Sequence, residues 1–239
     1  MTHNQGGTHV MSGAVYPLPF DLVKDFAPIS LLPSNPYILV SKPGLAVNNL
    51  QELIAWLKQN ADKASQGTPG VITGPHLFGQ MLQQRTGTRF ALVPYRGSGP
   101  ALQDLMAGQI DLMFEQAQTS LPHIRGGRLK AFAVTAPTRL ASAPAIPSVD
   151  EAGVPGLHMS LWYGLWASAG TPRNIVDKLN AAVVDALADS AVRQRLTELE
   201  LQAPPRDQQT PDALAAYQKA EIDKWWPIIK AANIKVDAN

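Results

Sequence analysis

From Ile38 to Thr135 short apolar runs alternate with stripes of apolar residues at helical spacing, and glycine or proline stands at most of the joints. Ile38 to Ser41 reads as a buried strand. Asn49 with Glu52 three residues on makes a capping-box pattern, and Leu50, Leu53, Ile54 and Leu57 repeat behind it, which predicts a helix over residues 49 to 59. After the glycine-rich stretch Gly67 to Gly74, the stripe Leu77, Phe78, Met81, Leu82 predicts a second helix that stops at Gly87. Phe90 to Val93 is a strand, Leu102, Leu105 and Met106 mark a short helix closed by Gly108, and Gln109 to Phe114 and Lys130 to Thr135 read as further strands. Strands in strict alternation with helices call for an α/β sheet with mostly parallel strands.

The C-terminal third continues the scheme. Leu161 to Ser168 is a strand, and Thr171-Pro172 opens a helix carrying Ile175, Val176, Leu179, Val183 and Leu187, with threonine as cap and proline at the first helical position. Thr210-Pro211 repeats that signal for a last long helix through Tyr217, Ile222 and Trp225, which Pro227 should kink or end. Beside the strand's Gly164, Trp162 and Tyr163 read as packing residues or a hinge wall.

Composition narrows the function. Twenty lysines and arginines against 19 aspartates and glutamates leave no field to recruit nucleic acid or an anionic membrane surface. There is no cysteine, so thiolate metal sites, disulfides and cysteine nucleophiles are excluded. His3, His9, His76, His123 and His158 lack metal-ligand spacing, and no cofactor motif appears. No window approaches the ~18 apolar residues of a membrane span. Met1 to Val10 is polar where a secretion signal would be basic and then apolar, so these residues are not expected to direct export.

In a parallel α/β sheet ligands collect where strands give way to helices, which directs attention to two turns. Gly67-Thr68-Pro69-Gly70-Val71-Ile72-Thr73-Gly74-Pro75-His76 combines close backbone approach, threonine hydroxyls and a helix start with about half a unit of positive charge. It suits an anion, and without a lysine followed by serine or threonine it is no nucleotide triphosphate loop. Read blandly, it only reverses the chain. Tyr95-Arg96-Gly97-Ser98-Gly99-Pro100 is placed likewise and does not match the hydrolase nucleophile elbow. Ser98 is a helix cap or a ligand donor, and Arg96 reads as a surface stack or ion-pair partner rather than a ligand contact. Glu115 falls at a strand's C-terminal end, where it either faces water or accepts a hydrogen bond from a ligand amine or hydroxyl.

Several segments in this order carry a resemblance: Gly7-Thr8-His9, Asp25 to Leu32, Gly67-Thr68-Pro69-Gly70 with His76-Leu77, Val93 to Gly97, Asp104 to Asp111, Glu151 to Gly156, and Trp162 to Leu165 with Gly170-Thr171-Pro172. Together they resemble the Bug family, the TctC-like solute-binding receptors of tripartite tricarboxylate transport systems, from about Gly7 to Ile234. The resemblance implies an α/β, two-lobed, periplasmic-binding-protein-like fold of the type II, Venus-flytrap kind, with chain crossings near residues 26 to 40 and 159 to 168. Lobe 2 would be residues 41 to 158, and lobe 1 residues 1 to 40 with 159 to 239. It implies a monomeric periplasmic receptor that captures a small carboxylate, dicarboxylic, tricarboxylic or aromatic, and hands it to membrane permease subunits, without a cofactor, membrane insertion or catalysis. Carried over by position, Thr8, Thr68, Gly70, Thr73, Tyr95, Gly97 and Ser98 should line the cleft, with His76 and Glu115 added to the candidate set.

Family members open with an export signal and a glycine-rich stretch of the type Pro-Phe-Ala-Ala-Gly-Gly, and this chain is expected to start after it. The first lobe would then be N-terminally truncated, with one half of the clamp missing and sheet edges exposed, and family ligands should bind weakly or not at all. Two other readings stay open. One is an enzyme on the same scaffold with Glu115 and His76 as its acid-base pair. The other is an intracellular effector-sensing domain, against which the lack of a DNA-binding helix pair counts.

Overall fold

A computed structural model describes residues 2–5, 7–71 and 73–231, with residues 2–5, 7, 8 and 231 described by their backbone alone. The chain divides into two compact units, residues 35–160 and residues 1–34 with 161–239. No helix of the described residues is long and apolar enough to cross a membrane.

Seven strands and eight helices are used below. The strands are β1 (Thr2–Gln5), β2 (Phe26–Ser41), β3 (Ser65–Thr68), β4 (Ala91–Pro94), β5 (Leu112–Gln116), β6 (Lys130–Val134) and β7 (Ser160–Ser168). The helices are α1 (Ser12–Val15), α2 (Leu50–Gln59), α3 (Gly74–Thr86), α4 (Ser98–Met106), α5 (Ala117–Arg125), α6 (Arg173–Ala188), α7 (Ser190–Glu198) and α8 (Pro211–Ala231).

In the unit of residues 35–160, β3 pairs in parallel with both β4 and β5, with Gly67 opposite Val93 on one side and Met113 on the other. The expectation of a mostly parallel sheet needs correction, because the last residues of β2 run antiparallel to both β5 and β6. The sheet is mixed. Its apolar faces are covered by α4 and α5 on one side, where Ile38, Val40, Leu105, Met113, Leu121 and Val134 share one cluster. Phe78 of α3 meets Phe114 edge to face at 4.7 Å. That pairing fixes a helix to the strand that carries Glu115.

The capping box at α2 forms in a modified way. The Asn49 side chain accepts from the Glu52 amide at 2.9 Å as expected, while the Glu52 carboxylate reaches one residue further back, to the Asn48 amide at 2.7 Å. The helix α3 stops at Gly87 as its sequence predicts.

A buried hydroxyl fastens the two ends of this unit. Thr135 Oγ1 accepts from the Tyr37 amide at 3.0 Å and donates to the Met159 carbonyl at 2.5 Å, and the Met159 amide returns to the Thr135 carbonyl at 2.9 Å.

In the other unit β1 pairs antiparallel with β7, and β7 neighbours β2 in strand order. Trp162 is packing rather than hinge surface, 5.0 Å from the Tyr217 ring and turned edge-on to it. The strong start signal at Thr171-Pro172 is realised differently: Pro172 is the cap position, and the Thr171 hydroxyl donates to the Ser168 carbonyl at 2.8 Å instead of accepting from a helix amide. On α6 the buried residues are Val176, Val184 and Leu187, with Ile175 left exposed. Thr210 does cap α8, accepting from the Ala213 amide at 3.1 Å, and the helix continues through Pro227.

Candidate functional site

Parallel pairing places the C-terminal ends of β4, β3 and β5 side by side, so the helices that follow, α3, α4 and α5, all start along one edge. Each helix start carries partial positive charge, though Pro75 of α3 and Pro100 of α4 have no N–H and the His76 amide already donates to the Thr73 carbonyl at 3.0 Å. The two glycine-rich turns lie directly against each other. The Tyr95 amide donates to the Thr68 carbonyl at 2.8 Å and the Gly97 amide to the Pro69 carbonyl at 3.3 Å. This continues the β3–β4 ladder past the strands and makes the two turns one structure.

Glycine is required at two points in it. Gly70 has φ of +150° and Gly97 φ of +104°, conformations that a residue with a Cβ rarely adopts. Thr73 closes the first turn by donating its hydroxyl to the Gly70 carbonyl at 2.8 Å. Gly70, Thr73, Gly97 and Ser98 are half-buried, so their backbone can be approached from solvent.

The remaining candidates sit behind this surface. Thr68 is fully buried, its Oγ1 3.4 Å from His76 Nδ1 and 3.4 Å from the Gly70 carbonyl. Burial holds the His76 imidazole below its ordinary pKa, so it stays neutral at physiological pH. Tyr95 is half-buried and donates its hydroxyl to Asp104 of α4 at 2.8 Å. Its pKa is raised first by burial and then by that carboxylate. Arg96 is exposed. Thr8 belongs to the other unit, in the turn Gly7–Met11, and its side chain lies outside the described residues.

Glu115 is 1% exposed. Its Oε1 accepts from the Gln116 amide at 2.9 Å, while Oε2 is buried with no hydrogen-bond partner among the described residues. Burial pushes the carboxyl above its ordinary pKa, and the Gln116 amide and the Ser98 hydroxyl at the start of α4 pull the other way. The described hydrogen bonds do not link Glu115 to His76, which turns to Thr68.

Sequence reasoning missed Asn35. Its side chain donates to Gln116 Oε1 at 3.1 Å and keeps a buried Oδ1 without a partner among the described residues. The Asn35-Pro36 dipeptide signals a turn, and its place inside β2 hid it. The described residues contain no group of three His, Cys, Asp or Glu side chains able to hold a metal. What the edge offers is backbone amides and hydroxyls at the starts of helices, with one buried acid behind them.

Known proteins share this architecture. The chain is 35% identical to MatC from Rhodopseudomonas palustris, whose structure holds malate, with a TM-score of 0.79 over 95% of this chain and 78% of that one. It is 32% identical to the periplasmic binding protein BugD, with a TM-score of 0.80 over 98% of this chain and 78% of that one. These matches establish an α/β, periplasmic-binding-protein-like fold. Among curated relatives, the UPF0065 protein in the TAR-I ttuE-ttuC' intergenic region of Agrobacterium vitis is 36% identical over 220 residues, which is 92% of this chain and 64% of the relative. The chain thus spans less than two thirds of that relative's length. The model of the tripartite tricarboxylate transporter family receptor, TctC, matches residues 7–234, and the chain belongs to that family of Bug-type solute-binding receptors.

Proposed function

We propose that the chain is the carboxylate-gripping part of an extracytoplasmic solute receptor, with its anion site on the paired turns at residues 68–73 and 95–98. The observation that carries this reading is the bonding of the two turns to each other across adjacent parallel strands, which sets the turns before α3 and α4 side by side. Neutral donors suit a ligand that must be released again. Backbone amides and hydroxyls hold a carboxylate in a fixed geometry without the strong Coulomb attraction of a buried arginine or lysine. Malate in the MatC structure is a small dicarboxylate of the kind such a cradle fits. In this reading the protein does no covalent chemistry, works as a monomer in the periplasm and passes its ligand to membrane permease subunits.

Titration calorimetry against a panel of dicarboxylates and aromatic acids tests it. Weak but measurable binding is expected for at least one acid, and Gly70→Val and Ser98→Ala should each lower it tenfold or more. Binding that both substitutions leave intact would place the anion elsewhere. Turnover of any bound acid, lost on substitution of Glu115 or His76, would favour an enzyme instead.

A further inference from the structure

The anion cradle accounts for the donors at this edge and leaves its acid without a task. A carboxylate is a poor neighbour for a bound carboxylate, and an unpaired oxygen of a buried acid is costly to keep. Glu115 nevertheless stands there, on the strand whose end faces the start of α4, with one oxygen engaged by the Gln116 amide and the other, Oε2, buried and unpartnered among the described residues. Ser98, the first residue of α4, belongs both to the cradle and to the surroundings of this carboxyl. A free acceptor next to a bank of donors is what a ligand carrying its own donor would complete.

We propose that Glu115 is the specificity-determining residue of this site: its Oε2 accepts a hydrogen bond from a hydroxyl or ammonium group on the bound acid. The preferred ligands are therefore carboxylic acids that carry such a donor a few atoms from the carboxylate. This rests on the carboxylate reading of the turns and narrows it. An acid without a donor leaves Oε2 as orphaned as it is in the free protein and sets a second negative charge near it. An acid with a donor pairs it. Sites built to hydrogen-bond a ligand hydroxyl discriminate strongly against analogues lacking it, because the site's own polar group is then left unpaired.

The experiment compares acids differing by one donor on the same purified protein: succinate with malate and with aspartate, and benzoate with 4-hydroxybenzoate. The expected result is a preference of about tenfold or more for the donor-bearing member of at least one pair. In Glu115→Met that preference should shrink to within about threefold, with the plain acid bound as well as before or better. Equal affinity within every pair in the unsubstituted protein would overturn the role of Glu115 while leaving the cradle standing, as would a preference that survives in Glu115→Met. If none of the five acids binds, both the cradle and the inference fail. The comparison within pairs needs no substitution, so a variant that does not fold does not spare the proposal.

Discussion

Asp111 and Glu115 bracket the same short strand and meet opposite fates. Asp111, at the entry to β5, is paired with Lys42 at 2.7 Å and accepts from both the amide and the hydroxyl of Ser65, at 2.9 and 3.1 Å. Glu115, at the exit, is more deeply buried, accepts from the Gln116 amide, has the Ser98 hydroxyl beside it and keeps Oε2 unpaired among the described residues. A structural acid is recognised by the completeness of its partners. An acid held ready for something else is recognised by their incompleteness, which folding alone does not favour.

The contrast can be broken most severely at Asp111. Asp111→Ala should destabilise the fold by about 2 to 3 kcal/mol, measured by urea unfolding, since it strands a partly buried lysine and the Ser65 donors together. Ligand binding by the remaining folded protein should be unchanged, as the entry end lies away from the turns. If Asp111→Ala instead weakened binding at full stability, the division between the two ends would be wrong.

Gly70→Val comes next. Forcing a β-branched residue to φ of +150° should cost about 1 to 3 kcal/mol of stability as well as affinity. Glu115→Gln should show the reverse of the Asp111 result. The folded pKa of Glu115 is raised above the unfolded value, so the folded state binds more protons. Its contribution to stability is complete below pH 4.5 and is lost as pH rises through the folded pKa. Urea midpoints at pH 4, 6 and 8 should therefore fall less steeply with pH in Glu115→Gln than in the parent. An identical slope would mean that the carboxyl titrates normally. The smallest change is Tyr95→Phe, which removes the bond to Asp104 and should cost about 1 kcal/mol with affinity nearly kept.

Legibility followed chemistry that acts over short stretches. The helix α2 could be read from its cap, α3 from its stripe and Gly87, and the two turns from glycines whose backbone angles require them. The long strand β2 could not. Only its last residues look like a strand, because Pro28, Pro33 and Pro36 interrupt the rest, and proline counts against a strand until the neighbouring strands are known. The helix α5 was hidden the same way by Pro122, and α7 carries no buried stripe to announce it. At Thr171 the hydroxyl had two possible partners, and the tertiary turn chose the Ser168 carbonyl over the helix. Within the site, sequence could name Glu115 and Asp111 as acids on one strand, but not say which was satisfied. That depends on the fold bringing Lys42 and Ser65 to one end and Ser98 to the other.

The Thr135 hydroxyl joins Tyr37 on β2 to Met159, the residue before β7. Those are the places where the polypeptide enters the unit of residues 35–160 and where it leaves it. Within that unit the two passages are clasped like a buckle, by this hydroxyl and by main-chain bonds from the Thr135 amide to the Tyr37 carbonyl and from the Met159 amide to the Thr135 carbonyl, both at 2.9 Å. Replacing the Thr135 side chain alone would loosen the clasp without opening it, because its main-chain half does not depend on which residue stands there.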